Sequence, residues 1–371
     1  MRAALALEDG SFFSGRGFGA CGSRGGEVVF CTGMTGYQEV LSDPSYKGQI
    51  VTLTYPEVGN YGIHLEDDEA DRCYLEAFVV RNYCRFPSGA GRGPMVPGQT
   101  PRPRPALGEY LKERGVVAIE GVDTRALTLK LRERGALRGM VSTEIFDPPE
   151  LVERARALPS LVGRDLAAAV TCAAPYRFAE GEAGEVVVLD FGVKRNILRS
   201  LAAQGFGVMV VPASTSASEI LSRRPIGVVI SNGPGDPEPL EHGIRTVRAL
   251  LESGTPLMGI CLGHQLLGLA LGGATSKLKF GHHGCNHPVA RLSDGKVEIT
   301  TQNHGFVVEP ASLDLDAVEI THQNLNDGTL EGLRLKRRPA FSVQYHPEAA
   351  PGPSDSAYLF DHFSAMVRRN T

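Results

Sequence analysis

The chain has 371 residues, 42% of them hydrophobic and 22% charged, and a chain of this length and composition favours two globular domains. Its formal net charge is −4 and no block of like charges stands out, which argues against nucleic acid or an anionic membrane as a main partner. The seven cysteines are spread without a short paired spacing, which favours free thiols and a cytoplasmic location.

Residues 1–150 predict a β-rich α/β domain. The apolar run after Met1 is interrupted by Glu8 and Asp9, so we interpret it as a first strand and turn and not as a signal peptide. Glycine turns separate further strands predicted at 27–30, 49–54 and 116–119. The Pro- and Gly-rich stretch 87–105 predicts an exposed loop. Helices are predicted at about 105–114 and from an N-cap at Asp123 to Leu131.

The second half of the chain changes in pattern. Residues 151–183 predict a linker, and from residue 184 to 371 strands and helices alternate. The strands are predicted at 186–190, 207–211, 226–230 and 256–260, with helices near 194–203 and 240–253. The strand at 186–190 is continuously apolar, as expected when helices cover both faces of a parallel sheet. The fold class is therefore α/β, with a doubly wound, mainly parallel sheet in this second domain.

The strongest chemical signal is the segment Gly259–Gln265. An apolar strand ends on Cys261, glycines stand two residues to either side, and a helix begins at once, which is the arrangement of a nucleophile elbow. The helix start at Leu262 lowers the pKa of the thiol, and its backbone N–H groups can hold an oxyanion. For this segment alone, a buried structural thiol is the alternative.

A thiol nucleophile needs a base and a group that orients the base. Another strand runs toward His346, and a carboxylate follows at Glu348 with Pro347 between them. Since ligands collect at the carboxyl ends of the strands in such sheets, we expect His346 and Glu348 to lie near Cys261. The segments Ser231–Pro237 and Gln302–Phe306 also follow predicted strands and offer backbone N–H and amide groups.

At this point the residues match known families. Residues 185–371 resemble class I (triad-type) glutamine amidotransferase domains, which have a flavodoxin-like fold, through Gly259–Gln265, Ser231–Pro237 and His346-Pro347-Glu348. The segment Cys31–Tyr46 resembles the hallmark of the carbamoyl-phosphate synthetase small subunit, and so do 49–60 and 280–284. The resemblance covers nearly the whole chain.

The resemblance implies a role for each matching position. It implies Cys261, His346 and Glu348 as a catalytic triad, and the N–H groups of Gly233 and Leu262 as an oxyanion hole. The residues expected to hold L-glutamine are Ser45, Gly235, Gln265, Asn303, Gly305 and Phe306. Because Ser45 belongs to the first domain, the resemblance places the active site at a domain interface.

Two positions depart from the family pattern. Cys285 stands where relatives carry glycine, and Tyr345 precedes His346 at a position that varies. Neither is a triad residue. The nearby His282, His283 and His287 invite a metal hypothesis, but with Cys285 they match no zinc pattern, so no metal is expected.

The resemblance also implies a partner. The chain has no phosphate loop of the G-x-x-x-x-G-K-[ST] kind, so we expect no cofactor here, and ATP and Mg on a large subunit that makes carbamoyl phosphate for arginine or pyrimidine biosynthesis. Three alternatives remain open from the residues. They are a non-catalytic regulatory or docking subunit of the same complex, an ammonia donor for another synthetase such as those making GMP or anthranilate, and a cysteine peptidase of similar fold.

Overall fold

The computed structural model describes residues 1–87 and 106–370, which form two compact units, Met1–Ser160 and Leu161–Thr371. Except for residue 87, the loop predicted over 87–105 lies outside the described residues. Within the two described ranges, no helix has the length and apolar character needed to cross a membrane.

The first unit alternates strands with short helices. Its elements are β1 (Arg2–Leu7), β2 (Phe12–Gly17), β3 (Ser23–Cys31), α1 (Tyr37–Ser42), β4 (Gln49–Leu53), β5 (Glu57–Val58), β6 (Ala77–Val79), β7 (Asn82–Tyr83), α2 (Leu107–Glu113), β8 (Val117–Glu120), α3 (Thr124–Arg134), β9 (Leu137–Ser142) and α4 (Pro148–Arg156). In the described part of this unit, seven strands close into a barrel in the order β1-β2-β8-β6-β4-β3-β9.

The helices of the first unit pack on this barrel through apolar side chains. Leu41 of α1 and Leu111 of α2 are fully buried against Val51 and Phe78 of the barrel. The Asp123 side chain accepts a hydrogen bond from the N–H of Ala126 at 3.0 Å, so the predicted N-cap of α3 is confirmed. The N-terminal β-rich α/β domain predicted from the sequence is present.

The second unit contains the remaining elements. They are β10 (Tyr176–Ala179), β11 (Glu185–Asp190), α5 (Arg195–Ala203), β12 (Gly207–Pro212), α6 (Ala217–Ser222), β13 (Gly227–Ile230), α7 (Glu241–Ser253), β14 (Leu257–Ile260), α8 (Leu262–Ala270), β15 (Thr275–Arg291), β16 (Val297–Val308), β17 (Val318–Asn324), β18 (Leu330–Leu335), β19 (Ala340–Val343) and α9 (Tyr358–Asn370).

One sheet crosses the whole second unit. Over residues 161–370 its order is β10-β12-β11-β13-β14-β19-β18-β17-β15-β16. The strands from β12 to β19 in this order pair in parallel, and helices bury both faces, so the doubly wound parallel sheet is confirmed. The strands from β18 to β16 extend it with antiparallel pairs that the sequence analysis did not predict.

The parallel part of the sheet places several loops at one edge. β11, β13, β14 and β19 are neighbours, with Ile230 opposite Gly259 and Ile260 opposite Val343. The carboxyl ends of these strands therefore lie side by side, and β13, β14 and β19 each lead into a segment that carries a candidate site residue.

The structure differs from the predicted linker over 151–183. The first six residues of this range complete α4, whose Leu151 and Val152 are buried with Ala4 and Ala6 of β1 in the first unit. Near its end, β10 adds an antiparallel edge strand to the second unit's sheet beside β12. The sequence predicts a short helix after Pro149, and α4 confirms it, whereas the local pattern of β10 does not show its pairing with β12.

Candidate active site

Cys261 lies in the sharp turn between β14 and α8. Its backbone has φ 53° and ψ −105°, a conformation that is strained for a residue with a side chain. The N–H of Cys261 donates to Val343 O at 2.9 Å, and its own carbonyl accepts the N–H of His264 at 3.0 Å. A Cβ at Gly263 would stand 2.2 Å from Ile230 O, so the turn requires glycine there. The nucleophile elbow expected from the sequence is formed.

The thiol of Cys261 is 1% exposed and lies at the N-terminal end of the nine-residue helix α8. Its Sγ donates to the backbone O of Asn303 at 3.6 Å. This contact holds the sulfur between the start of α8 and the segment 302–306 of β16.

His346 and Glu348 meet as a buried pair. Nδ1 of His346 and Oε1 of Glu348 are 2.7 Å apart, and the residues are 1% and 4% exposed. β19 ends at Val343, so the strand predicted to run into His346 stops earlier, and the N–H of His346 instead donates to Thr301 O at 2.9 Å. Among the described residues, Nε2 of His346 has no hydrogen-bond partner, which leaves it available to a reacting group.

The charges in this pair oppose the effect of burial. Burial lowers the pKa of His346, but the Glu348 carboxylate and the nearby Cys261 raise it to about 10 against the opposing effect of Lys194. Burial raises the pKa of Glu348, while Lys194 and His346 more than offset it and hold it at about 2. The pair therefore stabilises a positive charge on His346 and a negative charge on Glu348.

Lys194 is the site residue that the sequence analysis missed. It is 1% exposed, and its Nζ lies 2.9 Å from Oε1 of Glu348 and donates to Ala349 O at 2.5 Å. Asn196 donates from Nδ2 to Glu348 O at 2.5 Å. Their position in the chain could have indicated both residues, because they follow β11. The carboxyl end of that strand lies at the same edge of the sheet as Cys261.

The two predicted oxyanion donors are adjacent. Gly233 lies in the loop after β13, and a Cβ there would stand 2.7 Å from Cδ2 of Leu262 and 2.3 Å from Phe191 O. Leu262 is the first residue of α8, directly after Cys261. Gly235, in the same loop as Gly233, has φ 82° and packs against Leu166. The structure thus brings Gly233 and Leu262 together beside the nucleophile.

The other residues of this unit that are expected to bind glutamine lie on β16 and α8. Nε2 of Gln265 donates to Phe306 O at 2.8 Å, and Oδ1 of Asn303 is 2.9 Å from Nδ1 of His283. Nothing lies within 4 Å of a Cβ placed on Gly305. The segment 302–306 lies inside β16 and does not follow a strand as predicted, because β15 and β16 pair over a long, irregular ladder.

Ser45 lies in the first unit. It belongs to the short 3-10 helix Pro44–Tyr46, is 6% exposed, and its N–H donates to Oδ1 of Asp43 at 2.8 Å. Its contact with glutamine and the location of the site at a domain interface stay predictions.

Two family models match this chain. Residues 187–366 match the family "Glutamine amidotransferase class-I", so the second unit is a class I glutamine amidotransferase domain. Residues 5–141 match "Carbamoyl-phosphate synthase small chain, CPSase domain". A solved structure of a putative GMP synthase protein from Thermoplasma acidophilum is similar at 21% identity and a TM-score of 0.43, covering 50% of this chain and 94% of that one.

Full-length relatives define the family more narrowly. The chain is 53% identical to the carbamoyl phosphate synthase small chain of Syntrophotalea carbinolica, over 100% of this chain and 99% of the relative. It is also 53% identical to that of Nitratidesulfovibrio vulgaris strain Hildenborough, over 99% of each chain. The chain belongs to the carbamoyl phosphate synthase small chain family, and the family and enzyme class predicted from the sequence are confirmed.

Proposed function

We propose that this chain hydrolyses L-glutamine through a thioester on Cys261 and delivers the ammonia to a large subunit that makes carbamoyl phosphate. The observation that carries the proposal is the buried array of Cys261, His346, Glu348 and Lys194 at adjacent strand ends. Membership of the family and the matching amidotransferase domain support glutamine as the substrate and a large-subunit partner.

The chemistry follows from the arrangement of these groups. The proton of the Cys261 thiol passes to His346, and the sulfur attacks the side-chain carboxamide carbon of glutamine and forms a C–S bond. The developing oxyanion is stabilised by the N–H groups of Gly233 and Leu262. His346 then gives its proton to the nitrogen as the C–N bond breaks, so ammonia leaves and a γ-glutamyl thioester remains.

Water completes the reaction. His346, now neutral, takes a proton from water as the oxygen attacks the thioester carbon, and the C–S bond breaks to give glutamate and the thiolate. Glu348 orients His346 and stabilises its charged form in both steps, while Lys194 keeps Glu348 ionised. In this proposal, the large subunit binds ATP, Mg and bicarbonate.

The test is glutamate release from glutamine by the purified chain, with and without its large subunit. We expect hydrolysis in the wild type and loss of at least about 10³-fold in Cys261→Ser, since an alcohol is a far weaker nucleophile than a thiolate. Cys172→Ser is the matched control, because burial raises the pKa of the Cys172 thiol to about 12. Wild-type turnover by Cys261→Ser would contradict the proposal.

A further inference from the structure

A buried hydrogen-bond network connects β18 to the segment 302–306 of β16. At its centre is Glu331 of β18, which is 0% exposed. Its Oε1 accepts from Nδ2 of Asn324 at 2.7 Å, and its Oε2 accepts from Nε2 of Gln302 at 3.0 Å. A fully buried carboxyl group with two amide donors is costly unless those donors are held in place.

The donors are held in place. The N–H of Asn326 donates to Oδ1 of Asn324 at 2.9 Å, which turns the Asn324 amino group toward Glu331. The hydroxyl of Thr300 donates to His287 O at 3.0 Å and so accepts from Nε2 of Gln302 at 3.1 Å. Both oxygens of Glu331 therefore meet N–H donors, which is the environment that complements an ionised carboxylate.

The network continues into the candidate active site along β16. Oε1 of Gln302 is 2.8 Å from Nε2 of His304, and Nδ1 of His304 is 2.9 Å from Phe306 O. That same carbonyl accepts from Gln265 on α8. Three consecutive contacts thus connect Glu331 to the residues expected to hold glutamine.

A second connection starts from the backbone of Glu331. Its carbonyl accepts the N–H of Gln344 at 2.8 Å, two residues before His346. Oε1 of Gln344 accepts from Nε2 of Gln265 at 3.1 Å. Glu331 therefore supports both the segment that leads to His346 and the segment expected to bind glutamine.

The titratable groups around Glu331 come from every neighbouring strand. Nδ1 of His282 on β15 is 3.8 Å from Oε1 of Glu331, and Nε2 of His282 is 2.7 Å from Asp327 in the β17–β18 turn. His304 is on β16, and the ring of His287 on β15 is 5.3 Å from that of His282. Burial raises the pKa of Glu331 to about 7 against the effects of its amide partners and His282.

A metal site is the competing interpretation of this cluster. One ligand atom from each of His282, His304 and Glu331 lies within 4.8 Å of the others. Both nitrogens of His304 lie within hydrogen-bond distance of protein oxygens, however, and both oxygens of Glu331 accept hydrogen bonds. Within the described structure, Nδ1 of His282 is the ligand atom of the three residues that has no hydrogen-bond partner. The contacts favour a hydrogen-bonded support over a ligand set.

We propose that Glu331 is a positioning residue for glutamine binding, whose ionised form holds β16 through Gln302 and His304 in the geometry that accepts the substrate. The inference rests on the proposed glutaminase function. Near pH 7 the carboxyl group exchanges its proton, and the charge-assisted bonds from Gln302 and Asn324 strengthen as the proton leaves. The affinity for glutamine therefore rises with pH through the neutral range.

The test compares Glu331→Gln with the wild type, each assembled with the large subunit, by steady-state glutaminase kinetics between pH 6 and 8. The amide of the substituted side chain places an N–H group against one of the two donors, Gln302 or Asn324. We therefore expect KM to rise about 10- to 100-fold, with kcat within about threefold of the wild-type value. The wild-type KM should fall as pH rises through about 7, and that dependence should vanish in the variant. Glu331→Asp, which keeps the charge, should recover part of the loss.

Glu298→Gln is the matched control. Glu298 is equally buried and lies on β16 itself, but its carboxylate faces Arg291 at 3.4 Å, so KM should not change. An unchanged KM and pH profile in Glu331→Gln would overturn the inference. An equal KM increase in Glu298→Gln, or a loss of kcat without a KM change, would also overturn it, because either result indicates general damage to the sheet.

Calorimetry separates this inference from the proposed chemistry. Glutamine affinity is measured in Cys261→Ser and in Cys261→Ser combined with Glu331→Gln, where no turnover is needed. If the wild type fails to hydrolyse glutamine but the affinity still differs about 10- to 100-fold, the chemistry fails and the positioning role stands. If the affinities are equal, the positioning role fails whatever the turnover.

Discussion

Lys194→Met tests whether the Lys194–Glu348 ion pair is a structural requirement of the candidate site. The substitution keeps an unbranched side chain but removes the charge 2.9 Å from Oε1 of Glu348, where the two side chains are 2% and 0% exposed. It also removes the hydrogen bond to Ala349 O. Glu348 is then left as a buried carboxylate with His346 as its one remaining charged partner among the described contacts.

The magnitude follows from the burial of the pair. Removing one partner of a buried ion pair costs about 3–5 kcal/mol, because the other charge stays in a medium that solvates it poorly. For a domain the size of the second unit, each kcal/mol lowers the unfolding midpoint by about 2–4 °C. A cost of about 4 kcal/mol therefore predicts a decrease of about 8–16 °C.

Thermal and urea unfolding of the purified chain measure this effect. Arg334→Met is the control, since its bond to Glu319 at 2.8 Å is half exposed and should contribute less than about 1 kcal/mol. The double variant Lys194→Met/Glu348→Gln removes both charges and should recover part of the loss. A cost below about 1 kcal/mol for Lys194→Met, or strictly additive costs in the double variant, would refute the reasoning.

Two further predictions concern the triad and the elbow. Glu348→Gln removes the largest cause that raises the pKa of His346, while burial and Lys194 still lower it against Cys261, so the pKa should fall from about 10, as ring NMR signals would report. In the wild type, the stability from His346 is present in full below pH 6.5 and is lost as pH rises toward 10; this pH-dependent stability should be smaller in the variant. Gly263→Ala should destabilise the chain by about 3 kcal/mol or more in urea, because its Cβ meets Ile230 O at 2.2 Å; a loss under 1 kcal/mol would contradict that clash.

Local chemistry made much of this protein predictable. The strand at 186–190, the N-cap at Asp123 and the elbow at Cys261 depend on residues within a few positions of one another, so their patterns are visible in one dimension. The contact between His346 and Glu348 is local as well, because the two residues are two positions apart in the sequence.

Only the tertiary structure decided which distant groups complete the site. Lys194 reaches Ala349 across 155 residues of chain, and Glu331 meets Gln302 across 29, so no local pattern connects them. The antiparallel strands that bring Asn303 into contact with Cys261 likewise depend on long-range pairing and an irregular register between β15 and β16. A buried charge is stable only where the fold supplies its partner, and a sequence read locally does not contain that partner's position.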